Sequence, residues 1–340
     1  MDNFAFAPHM HYIDQSPRHR HTTILSAYSA VRRFLDTSIM QKNVTGYSAA
    51  LLAVIIWSGN FVIARAVAGL IPPWQCNFWR WLIALIVLLP FAGKHWRTDW
   101  PAIKKNWREL SLLGILGVTL LNTFIYKAGQ TTESINMALL VPTAPVVILI
   151  LSRVLYNEPI SPRRLAGVLV VLAGVIILVS RGQWDRLAHL RFNEGDLWAL
   201  GGVLCFGLYS LFIRRRSPDI SPMGFSISTF ALGLLYSLPF TAIEAFMLPL
   251  PQLSTTLVIS VLYAGIGCSA LSFWLWTVAV DHIGPVRAGM VYYSLPVFAG
   301  ISASLVLHER VAPAQLAGGA LVISGIIIAT LVLPQHKKKV

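Results

Sequence analysis

Pro145-Val146 … Glu158 … Pro162 … Leu165-Ala166-Gly167 … Gly174 … Ile176-Ile177 returns later in the chain as Pro296-Val297 … Glu309 … Pro313 … Leu316-Ala317-Gly318 … Gly325 … Ile327-Ile328. Every one of these residues recurs at an offset of 151. The same offset carries Gly114-Ile115 onto Gly265-Ile266 and Ala128 onto Ala279, and near the start it slips to 149, pairing Trp57 with Phe206 and Arg65 with Arg214. Both copies lie in long apolar stretches. A duplicated membrane unit is the mark of a secondary transporter, whose two similar halves rock around a site between them.

The composition agrees. Hydrophobic residues make up 56% of the 340 residues, charged residues only 12%, and mean hydropathy is +0.65. A soluble domain carries about twice that charged fraction. Asn43–Ala64, Leu110–Tyr126, Ser134–Ser152, Ile220–Ile243, Ala288–Leu307 and Val311–Gln335 hold no Asp, Glu, Lys or Arg, and each approaches or exceeds the roughly 17–25 residues that cross a hydrocarbon core. The chain is an all-α integral membrane protein. Its net charge of +13 does not point to nucleic acid, because Lys and Arg collect in cytoplasmic loops. The three cysteines sit in apolar segments without ligand spacing, and no metal or cofactor is expected.

The pattern predicts ten transmembrane helices, over approximately 46–66, 74–93, 109–128, 134–152, 163–180, 195–214, 222–247, 255–279, 285–307 and 314–333. With both termini cytoplasmic, inward segments hold 20 Lys and Arg and outward segments 6, which sets the orientation. Five helices per repeat is odd, so the second copy enters the bilayer from the opposite side, giving two inverted five-helix repeats, 46–181 and 195–333. A polar, His-rich tail precedes them (1–42) and is expected to be disordered. Translation from Met40 instead of Met1 would leave every feature intact. A basic cytoplasmic tail (334–340) completes the chain.

Trp57-Ser58-Gly59-Asn60-Phe61 in the first span, Phe78-Trp79-Arg80-Trp81-Leu82-Ile83-Ala84 in the second, and the duplicated Pro145 … Glu158 … Leu165-Ala166-Gly167 … Gly174 pattern resemble the EamA-like branch of the drug/metabolite transporter superfamily. The resemblance covers about 46–333. It implies ten spans, a bacterial inner (plasma) membrane location and export of a small polar metabolite, an amino acid first, by alternating access. Proton-coupled efflux of a drug or other metabolite, or a channel, are the alternatives. Among enzymes, the membrane-embedded class is set aside because neither His-Glu-x-x-His nor Gly-x-Ser-x-Gly occurs. No nucleotide-binding loop occurs either. No Asp, Glu or His lies deep in a span, which favours a facilitator over ion coupling.

Polar and aromatic residues within spans give the candidate cavity: Asn60, Trp79, Arg80, Asn122, Tyr126, Thr143, Tyr209, Tyr292, Tyr293 and Ser294. Arg80 either holds a solute carboxylate or phosphate or is a structural arginine bonded within the bundle. Pro142, Pro145 and Pro296 break helical hydrogen bonds at matched places, as hinges or as static bends. Glu158 and Glu309 either cap the helices after them or form gate salt bridges, Glu158 with Arg153, Arg163 or Arg164. Gly167, Gly174, Gly318 and Gly325 permit close helix approach, within one bundle or at a homodimer face, so monomer and homodimer both remain open. The expected partners are a small-molecule solute and the lipid bilayer.

Overall fold

The computed structural model describes residues 40–60, 63, 67, 69–132, 134–180, 182–190, 192–248, 251–307 and 313–330. Residues 1–39, Arg65, Glu309 and the basic tail lie outside them. Packing separates Met1–Val44 from a main body, Thr45–Val340, which holds the helical bundle. No strand occurs among the described residues. The helices are α1 (40–60), α2 (Pro73–Lys105), α3 (Trp107–Thr131), α4 (Met137–Tyr156), α5 (Pro162–Ser180), α6 (Glu194–Arg215), α7 (Pro222–Met247), α8 (Thr255–Ile283), α9 and α10 (Pro313–Thr330). A turn at Tyr293 and Ser294 divides α9 into Pro285–Tyr292 and Leu295–Leu307.

Among the described residues, eight helices are long and apolar enough to cross a membrane: α3 to α8, α10, and α2 over Pro73–Gly93. Helices answer the physics of the bilayer, since each satisfies its backbone groups internally where no water can. At Gly93 the backbone turns to φ 34° and ψ −125°, a conformation that glycine alone adopts without strain. Beyond it residues 94–105, which fall between the second and third expected spans, continue as helix.

The packing repeats under exchange of the halves. Counting five helices onward, α2 packs on α7, α4 on α9 and α5 on α10, while α3 lies against α7 just as α8 lies against α2. The duplicated glycines show the symmetry atom by atom. A Cβ built on Gly167 would lie 2.7 Å from Gly325 O, and one on Gly174 would lie 2.8 Å from Gly318 O. Built on Gly318 and Gly325, it meets Gly174 O at 2.8 Å and Gly167 O at 2.7 Å. The helices α5 and α10 thus cross antiparallel with their backbones touching. The glycine faces are used inside one chain.

Trp57 and Phe206, matched in the repeat, also touch, edge to face at 5.7 Å between ring centroids. Gly114 on α3 abuts the backbone of α7 at Gly233 and Thr229, and its counterpart Gly265 on α8 abuts Arg80 O and Ile83 on α2.

Gly174→Ala should cost about 1–3 kcal/mol, the range for overpacking a close contact. Gly300→Ala, where an added Cβ meets nothing within 4 Å, should be neutral or mildly stabilising. Thermal unfolding of the two detergent-purified variants compares them.

Candidate functional site

Along the middle of α2 the buried residues Asn77, Arg80, Trp81, Ala84 and Leu88 form a stripe, the spacing of one helix face. Arg80 on this stripe is 1% exposed. Its Nε donates to Ser269 Oγ on α8 at 2.7 Å, and its Nη1 donates to Asn122 Oδ1 at 3.1 Å and to Tyr126 OH at 2.6 Å, both on α3. The guanidinium carbon lies 5.6 Å from the ring centroids of Trp81 and Tyr126, within cation–π range. Every partner is neutral, and among the described residues no carboxylate reaches Arg80. The Nδ2 of Asn122 is buried without an acceptor among the described residues.

Two irregular helices frame this arginine. A π-helical turn interrupts α3 over Ile115–Leu120 and another interrupts α8 over Ala264–Leu271. Such a turn displaces the regular backbone ladder and is often found at functional positions. Side chains take up carbonyls in both: Asn77 Nδ2 donates to Val118 O at 3.0 Å and Trp57 Nε1 to Cys268 O at 2.8 Å. Asn77 Oδ1 in turn accepts from Trp81 Nε1 at 3.0 Å. This chain of bonds ties α2 to α3, while the π turn of α8 carries Ser269 to Arg80.

Aromatic rings fill the space beside Arg80. Trp81 meets Phe230 at 4.6 Å and Phe273 at 4.7 Å. Trp57, Phe206, Trp276 and Tyr292 continue the cluster, with centroids 5.0–6.0 Å apart. These rings come from α1, α2, α6, α7, α8 and α9, so both halves contribute.

At the end of the bundle where α6 finishes, Arg214 pairs with Glu158, which also accepts from Ser152 Oγ at 2.6 Å, and Arg216 pairs with Asp281. Of the two roles expected for Glu158, an ion pair is present, with a partner other than those expected. Ser161 Oγ caps α5 by accepting from Arg164 N at 3.2 Å, and the ion-pair partner is Arg214 of the other half, not Arg153, Arg163 or Arg164. Glu158 lies three positions before Ser161, so the carboxylate stands clear of the helix start and reaches across instead.

A second cross-half arrangement links α2 to α7. Glu244 near the end of α7 accepts from Gln75 N at the start of α2, at 2.9 Å. Asp99 near the end of α2 accepts from Ser221 N at the start of α7, also at 2.9 Å. Each helix therefore stabilises the positive N-terminus of the other.

Of the residues expected to line a cavity, the structure brings Arg80, Asn122 and Tyr126 together. Tyr209 and Tyr292 join the aromatic cluster. Trp79 stands apart, 47% exposed on the outer face of α2, because it lies off the buried stripe. Thr143 and Ser294 donate to carbonyls of their own turns, Leu140 O and Val291 O. Asn60 Oδ1 and Tyr293 OH are buried without a partner among the described residues. Irregular backbone occurs where the prolines foretold it. A 3-10 turn spans Val141–Thr143 around Pro142, just before Pro145, and the break in α9 precedes Pro296. Ser269, Asn77 and Asp99 went unread in the sequence, and Trp81 and Arg214 were read only for the family pattern and the repeat.

A family model described as the EamA-like transporter family matches residues 44–180 and again residues 193–331. The chain belongs to the EamA-like transporter family. The two matches coincide with the halves that exchange in the packing. An uncharacterized transporter of Archaeoglobus fulgidus is 27% identical over 280 residues, covering 82% of this chain and 95% of that one. The aromatic amino acid exporter YddG of Ancylobacter novellus is 26% identical, covering 82% and 94%. A probable amino-acid metabolite efflux pump of Salmonella typhimurium is 23% identical, covering 82% and 92%. One solved crystal structure covers 86% of this chain and 96% of its own, with a TM-score of 0.67 at 20% identity, and so shares the fold. The family and these relatives are transporters, not enzymes.

Burial raises the Glu158 carboxyl, but hydrogen bonds from Ser152 and Arg214 and the charges of Arg214 and Arg164 bring it below the ordinary carboxylate value. A carboxylate whose pKa falls on folding contributes stability above its unfolded value and loses it as pH drops through the depressed one. Wild type should therefore unfold at a higher temperature than Glu158→Gln at pH 7. The difference should vanish on acidification through and below the carboxylate range, as thermal melts across pH would record.

Proposed function

We propose that this EamA-like protein is a secondary transporter that moves a small polar metabolite, with amino acids the first class to test, out across the inner membrane by alternating access. The observation that carries this reading is Arg80. A buried cation whose described partners are all neutral, between two π-turned helices from opposite halves, suits the transient binding of a polar solute. Asn122, Tyr126 and Ser269 position it. The amino-acid class draws support from the names of two relatives, an aromatic amino acid exporter and a probable amino-acid metabolite efflux pump. In this reading α1 and α9 also cross, giving ten spans in two inverted repeats with both termini cytoplasmic, as the Lys and Arg distribution requires.

The aromatic cluster and the Glu158–Arg214 and Arg216–Asp281 pairs close the path between Arg80 and the end of the bundle that carries them. Opening towards that end needs the rings to part and the inter-half Glu158–Arg214 bond to break. The irregular turns before Pro145 and Pro296, one in each half, are the hinges. With no carboxylate at Arg80 among the described residues, the cycle works as a facilitator driven by the solute gradient.

Purified protein in liposomes, loaded with labelled amino acids, should show saturable counterflow. Arg80→Gln should lower it by about tenfold or more, the loss of a charged hydrogen-bond donor, with folding retained. Flux that rises linearly with solute and never saturates would identify a channel instead. Wild-type rates in Arg80→Gln would remove Arg80 from the solute path.

A further inference from the structure

We infer that the solute held at Arg80 carries a net negative charge in the form of a single carboxylate, as in an N-acylated amino acid or a simple organic acid, and is not a zwitterion. The inference rests on the reading of the Arg80 region as the solute site and narrows the class of solute.

Guanidinium stays protonated in proteins and offers five N–H donors. Three of them are used, on Ser269, Asn122 and Tyr126. The two on Nη2 have no partner among the described residues. Asn122, whose Oδ1 is already held by Arg80, leaves both N–H groups of its buried Nδ2 without an acceptor among the described residues. Four donors are thus left over on two side chains that touch each other, at a place that holds one full positive charge. A carboxylate has one negative charge and about four acceptor positions on two oxygens, and Arg binds it with two parallel bonds. A phosphate monoester would bring nearly two charges to a single cation.

An ammonium group on the same solute needs an anion or several acceptors within reach. The described groups that Arg80 touches are Ser269, Asn122, Tyr126 and the faces of Trp81 and Tyr126, and none of these is acidic. The carboxylate of Glu244 is engaged at Gln75 N, five residues back along α2 and so about 7 Å away along the axis. An α-ammonium bound beside its own carboxylate would face the guanidinium and be repelled by it in surroundings of low dielectric.

The test uses purified wild-type protein and matched probes that differ in the charged amine: 3-phenylpropionate and N-acetyl-phenylalanine against phenylalanine. Binding is read by ligand-induced thermal stabilisation across concentration. The net anions are expected to bind about tenfold or more tightly than their zwitterionic counterparts. Asn122→Asp places a carboxylate on Arg80 from within the protein. It should raise the melting temperature of the ligand-free protein and abolish the preference for anions. Should Asn122→Asp not fold, Arg80→Gln decides, and it should bring anion and zwitterion to equal, weak binding.

Zwitterions binding as tightly as the anions overturn the inference, as does a preference that survives Arg80→Gln or an absence of binding by every anion. These outcomes are separable from failure of the transport reading. Saturable, Arg80-dependent counterflow of phenylalanine alone would leave a transporter standing and discard the charge rule. Anion binding without any saturable flux in liposomes would do the reverse.

Discussion

A full positive charge at the heart of an apolar helical bundle is costly unless something answers it. Arg80 is held there by a hydroxyl, a phenol and an amide, each contributed by a helix with a π turn at or just before the contact. The geometry of α3 and α8 follows from that need. A regular helix would keep its side chains on a fixed 100° step, whereas an extra residue in one turn shifts the face presented beyond it. Asn122 and Tyr126 lie just past the π turn of α3, and Ser269 lies within that of α8.

The paired π turns also show how a duplicated sequence becomes an asymmetric site. Both halves kept the distortion, and both kept the small residue that starts it, Gly114 in one and Gly265 in the other. The cation appears once: at the matching place on α7 stands Thr229, whose backbone oxygen abuts Gly114 as that of Arg80 abuts Gly265. Symmetry thus governs the frame and the chemistry departs from it. The aromatic cluster, drawn from both halves, fills the seam beside the charge.

Much of the frame was legible because it is written as repetition. Gly167, Gly174, Gly318 and Gly325 read as close-approach positions, and they are the points at which α5 and α10 meet. Arg80 stood out as a basic residue well inside a span, and Asn122 and Tyr126 as polar neighbours one turn apart. The buried stripe of α2 also contained the information that excludes Trp79, one step around the helix from Arg80. Other features leave no local trace. No residue type encodes a π turn by itself, and the Glu158–Arg214, Asp99–Ser221 and Glu244–Gln75 contacts join residues 56, 122 and 169 positions apart. Such pairings exist only once the halves are docked. Read locally, Glu158 belongs to its own neighbourhood, whereas its partner lies across the seam.

The crossing of α5 and α10 has a consequence for how such a chain could arise. Its two contacts, Gly167 with Gly325 and Gly174 with Gly318, convert into one another when the copies trade places, which makes the joint self-complementary. Two free-standing five-helix polypeptides of the same sequence, facing opposite ways, could clasp through that joint without any covalent link. The segment between α5 and α6 then serves as a leash that keeps the pair together, and fusion left each copy free to specialise.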